Sequence, residues 1–74
     1  MFINDINAIT GLKRVSRAEI ARKIDATPQN LSRSLNREYI KDIEAREIFK
    51  AINVNVSITY TDANTGNVLY KSEL

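Results

Sequence analysis

The chain has 74 residues, a net charge of +2, and neither cysteine nor histidine. That length holds one domain, close to the lower limit at which an apolar core is stable without staples. The missing residue types exclude disulfides, zinc fingers, thiol nucleophiles and an imidazole base, and no apolar run approaches the ~20 residues of a membrane span or resembles a signal peptide.

These bounds predict a soluble, cytoplasmic protein with no metal, no cofactor and no membrane partner. The small net charge conceals a segregation. Residues 13–37 hold seven basic groups (Lys13, Arg14, Arg17, Arg22, Lys23, Arg33, Arg37) against Glu19 and Asp25, while the rest of the chain is net negative. A basic segment on an otherwise neutral scaffold suits a polyanion, because phosphate contacts supply most non-specific nucleic-acid affinity. Charge alone fits a solvated face equally well.

In chain order, Phe2, Ile3, Ile6 and Ile9 recur at helical spacing and predict a first helix over about 2–12, with Gly11 near its end. Ser16-Arg17-Ala18-Glu19 has the form of a capping box, in which the Ser16 hydroxyl accepts from the Glu19 amide and Glu19 reaches back to the Ser16 amide. Ile20, Ala21 and Ile24 then form the apolar face of a short helix over about 17–24. It should stop at Asp25, one of the few residue types that tolerate a left-handed turn. Thr27 is a good N-cap, and Pro28 suits the first helical position, where no N–H is needed. Leu31 and Leu35 give the third helix, about 28–35, an inward face. Only three residues separate these two predicted helices.

A fourth helix is expected over about 41–52, with Ala45, Ile48, Phe49 and Ile52 on one stripe. The period then falls to two. Val54, Val56, Ile58 and Tyr60 alternate with Asn55, Ser57, Thr59 and Thr61, as in a half-buried strand. Residues 62–67 carry turn chemistry, and Val68-Leu69-Tyr70 reads as the returning strand. The predicted fold is therefore mostly α, four helices followed by a C-terminal β-hairpin over about 54–71.

Two short helices joined by a tight turn present the outer face of the second one. In a DNA-binding helix-turn-helix that second helix enters the major groove. Here its outward residues are Gln29, Asn30, Ser32 and Arg33. Gln and Asn can pair bidentately with adenine, Arg with guanine, and Ser with either.

The stretch from Val15 through Ile20, Ala21, Ile24, Thr27-Pro28 and Leu31 to Arg33 resembles the Xre, or lambda-repressor/Cro-like, helix-turn-helix family. Ile6 and Ile9 match its first helix. The ending Ile52–Tyr60, followed by Thr65-Gly66, is similar to small members from Firmicutes phages and mobile elements. The resemblance implies a four-helix domain and a transcriptional regulator that binds double-stranded DNA. It places Gln29 and Arg33 at base-contacting positions with Asn30 nearby, and Arg17 and Thr27 at the phosphate backbone; apart from the resemblance, Ser32 on the outward face is a further base-contact candidate and Arg14 and Arg37 are further phosphate candidates. Three residues depart from the family pattern: Asp25 for a usual Gly, Pro28 for a frequent base-reading Gln, and Ser34 at a usually apolar position, which would rotate or shorten the third helix.

A lone hairpin is marginal and has open edges, so it must pack on something. Pairing through Val56, Ile58, Tyr60, Val68 and Tyr70 would give a homodimer and set two recognition helices one DNA turn apart. The competing expectations are a hairpin that caps its own core, or an antitoxin-like module that docks another protein there. RNA binding lacks an exposed aromatic and basic platform. Catalysis lacks the side chains and the room for a cleft.

Overall fold

A computed structural model describes residues 2–74. Four helices, α1 (Ile3–Lys13), α2 (Arg17–Lys23), α3 (Pro28–Leu35) and α4 (Asp42–Ala51), precede the antiparallel strands β1 (Ser57–Thr61) and β2 (Val68–Glu73). The mostly-α fold with a C-terminal hairpin is the one the sequence predicts. β1 begins later than the alternation suggested and β2 ends later, while the turn between them lies where the sequence put it. No helix among the described residues is long and apolar enough to cross a membrane.

The two expected N-caps form. Ser16 Oγ accepts from the Glu19 amide at 3.1 Å, and Thr27 Oγ1 accepts from the Asn30 amide at 3.1 Å. The reciprocal half of the capping box differs: the Glu19 carboxylate meets the Ser16 hydroxyl at 3.4 Å rather than the Ser16 amide.

Helix ends follow one pattern three times. The Val15 amide donates to Thr10, that of Ala26 to Ala21 and that of Val54 to Phe49, each five residues back across a left-handed residue. Those residues are Arg14, Asp25 and Asn53, with φ of 54°, 60° and 63°. This is the Schellman closure, which satisfies carbonyls a helix end would otherwise leave bare. Asn and Asp reach this conformation at modest cost, whereas Arg must hold its Cβ against the following carbonyl. Gly11 lies near the end of α1, as the sequence reading placed it, and the left-handed residue that closes the helix is Arg14.

The core collects Ile6 from α1, Ile20 and Ala21 from α2, Leu31 and Leu35 from α3, and Ala45, Ile48 and Phe49 from α4. Phe2, Ile40 and Ile52 complete it. Phe2 meets Phe49 edge-on at 6.1 Å between ring centroids, closing the seam between the start of the chain and α4. Ile40 escaped the periodicity because it stands in the segment before α4, outside any regular run. Two lysines finish α4: Lys13 Nζ donates to the Ile52 carbonyl at 2.6 Å and Lys23 Nζ to that of Ala51 at 3.3 Å. Cations suit the negative end of a helix.

The hairpin leaves this bundle. The radius of gyration is 14.1 Å and the extents are 45 × 23 × 19 Å, against the ~11 Å radius of a compact domain of this length. Its turn is held by Asp62, whose Oδ1 accepts from the amides of Asn64 at 2.8 Å and Thr65 at 3.1 Å, and by Gly66 in the left-handed region. Tyr60 pairs with Tyr70 and Thr61 with Val68, so Leu69 is an extra residue on β2, a β-bulge.

A glycine within α1 has a measurable consequence. A Cβ on Gly11 would meet nothing within 4 Å. Gly11→Ala should therefore raise stability by about 0.5–1 kcal/mol, and Arg14→Gly should add a similar increment by relieving the left-handed arginine. Urea unfolding followed by circular dichroism measures both, and an unchanged or lower midpoint would contradict the assigned helix end.

Candidate nucleic-acid interface

The unit formed by α2 and α3 owes its rigidity to its connection. Ile24, Asp25, Ala26 and Thr27 join the helices. Within them, the Ala26 amide closes the end of α2 at 2.8 Å and the Thr27 hydroxyl opens α3. Both helices are thereby anchored by hydrogen bonds inside a single turn of chain. α3 keeps the full length 28–35, so Ser34 does not shorten it. Ser34 is half-buried and lines a small depression with Ile24, Ala26 and Asn30 and with Glu44, Glu47 and Ile48 of α4. A hydroxyl is compatible with that carboxylate-flanked wall.

At about 100° per residue, Leu31 and Leu35 fix the inward side of α3, and Gln29 and Arg33 fall opposite them. Both are exposed. Asn30 is exposed on the flank nearer α4. Ser32 lies on the other flank and is half-buried, where its Oγ accepts from Arg17 Nη1 at 3.2 Å. Arg17 Nη2 reaches Asn7 Oδ1 at 3.4 Å. The four residues expected at base edges thus separate into three exposed side chains and one that supports Arg17.

This tie brings the first residue of α2 against the face of α3. A cation at a helix N-terminus is mildly unfavourable, so Arg17 is held there by oxygen acceptors on two other helices. Its remaining N–H groups can still meet an anion. Thr27 Oγ1 spends an acceptor lone pair on its own helix and keeps its proton to donate.

The basic segment also divides. Lys13 and Lys23 bond to α4 carbonyls, away from this face, whereas Arg14, Arg22, Arg33 and Arg37 are exposed. Arg14 ends α1 and Arg37 follows α3. Among the described residues, the hydrogen bonds around Arg17 include neither of them. Asn7 is the residue that sequence reasoning missed. Its link to Arg17 joins positions ten apart on different helices, a contact that no local pattern reports.

The hairpin residues divide as well. Val56 and Ile58 are half-buried against the protein's own core, together with Val54 and Leu74. Tyr60, Val68 and Tyr70 are exposed, and the two tyrosine rings sit 6.2 Å apart across the strands. The base of the hairpin caps the core and its outer half is bare. No family model matches the chain, nor does any curated protein or solved structure.

The Thr27 cap should carry part of the rigidity of α3. Thr27→Ala should cost about 1 kcal/mol of stability in urea unfolding, and Thr27→Ser much less. Equal losses in the two variants would show that the hydroxyl is not the reason.

Proposed function

We propose that the chain binds double-stranded DNA sequence-specifically as a small transcriptional regulator, with α3 in the major groove. The observation that carries this reading is the α3 outer face. Gln29, Asn30 and Arg33 stand exposed on a rigid helix with no acid and no large apolar side chain among them, and Arg17 is docked beside them.

In this reading Arg33 and Gln29 read base edges and Asn30 reads from the flank, since amide and guanidinium groups match the purine edges of the major groove. Ser32 donates its free proton while Arg17 occupies its lone pair. Arg17, with Thr27, positions the helix against a phosphate, and Arg14 and Arg37 add sequence-independent attraction. The family resemblance supports the same assignment. A protein-docking module of the antitoxin kind is the second reading, and it draws on the bare tyrosines of the hairpin.

Selection of duplexes from a random pool tests the proposal. A recurring motif is expected, and failure to enrich any sequence at low salt would refute specific DNA binding and favour the second reading. On the selected duplex, Arg33→Ala should weaken binding by about 1–3 kcal/mol and relax the preference at one base pair. Arg17→Ala should weaken binding to all sequences alike and lower the log–log salt slope by about 1. If both variants bind like wild type, this face is not the interface.

A further inference from the structure

Arg17 is tied on two sides, and neither tie carries charge. Its Nη1 donates to Ser32 Oγ of α3 at 3.2 Å, and its Nη2 to Asn7 Oδ1 of α1 at 3.4 Å. Asn7 must present its carbonyl oxygen here, because the reversed amide would set two N–H donors against each other. Two of the five guanidinium donors are thereby spent, and the rest stay available. A carboxylate in place of either acceptor would orient Arg17 as well, but it would cancel the charge that draws a phosphate. A neutral amide and a neutral hydroxyl orient the group and leave its charge whole.

We propose that Asn7 and Ser32 are positioning residues of the phosphate contact: they hold the Arg17 guanidinium in place before DNA arrives, and Ser32 reads no base. The proposal rests on the DNA reading given above and adds α1 to the elements that shape the interface. A long exposed side chain loses rotamer freedom when it grips a phosphate. Arg14, Arg22, Arg33 and Arg37 are exposed, whereas Arg17 is half-buried and has given up much of that freedom in the folded protein.

Contacts of different kinds leave different marks on binding. Loss of a phosphate-neutralising charge lowers the salt slope, and loss of a base contact relaxes the preference at one position. Loss of a positioning residue does neither, because the charges and the base-reading side chains are unaltered. It lowers affinity for every sequence by the same factor. Ser32 is the sharper case, since a serine on the outer side of α3 would relax a base preference if it read one. Its lone pair instead faces Arg17, on the flank away from Asn30.

Asn7→Ala and Ser32→Ala should each weaken binding to the selected duplex by about threefold to tenfold, the worth of one hydrogen bond, with the wild-type salt slope and base preferences. On an Arg17→Ala background both losses should vanish, because no guanidinium is left to hold. The free protein gives a readout without DNA. Nitrogen-15 NMR at low temperature should resolve separate Nη signals for Arg17 in the wild type. Each substitution should average them while circular dichroism stays unchanged. Wild-type affinity in either variant, a relaxed base preference in Ser32→Ala, losses that persist on the Arg17→Ala background, or Arg17 signals already averaged in the wild type would each overturn the proposal. A wild type that binds no duplex while its Arg17 signals stay separate would remove the DNA reading, and the proposal with it.

Discussion

The structure depends most on the four-residue connection between α2 and α3. Asp25 must turn left-handed so that the Ala26 amide can reach the Ala21 carbonyl, and only then does Thr27 stand where its hydroxyl can open the next helix. A backbone bond closes one helix and a side-chain cap starts the other within a few residues, which leaves little freedom in the angle between them. Leu31 and Leu35 can then reach the floor made by Ile20, Ala21, Ala45 and Ile48. The same angle turns Gln29 and Arg33 outward. Their exposure follows from the turn as much as from their own polarity.

The rest of the fold is an economy of a small core. Every helix supplies buried residues, and the helix ends are closed by hydrogen bonds rather than by glycines. Lys13 and Lys23 cross to the end of α4, joining α1 and α2 to it through charge-assisted bonds to carbonyls. The hairpin continues this economy at its base, where Val56, Ile58 and Leu74 cover what the helices leave open. Beyond Ile58 there is no core left to cover. The apolar face of the strands runs on past the bundle, and the tyrosine pair stands in solvent.

Much of this was legible in the residues. Ser16, Thr27 and Pro28 act through bonds to neighbours a few residues away, so local spacing located both helix starts and put α3 at 28–35. Asp25 was readable as the turn because few side chains accept its backbone geometry. The period-two run after Asn53 announced strands for the same local reason. Gly11 lies near the end of α1, as read, but the left-handed closure falls to Arg14, which no local pattern singled out. The start of β1 was read too early because Val54 and Val56 alternate like a strand while serving the core.

The sequence by itself determined the helices, their starts, the tight connection and the outward placement of Gln29, Asn30 and Arg33 on α3, since each depends on interactions within one turn of chain. Only the tertiary structure decided which of the basic and polar residues act together. Packing brought Arg17 to Ser32 and Asn7, took Lys13 and Lys23 away to α4, and left Tyr60 and Tyr70 bare while covering Ile58. These contacts join residues far apart in the chain, and their geometry is set by how the helices fill a shared core. No spacing within a single segment encodes that.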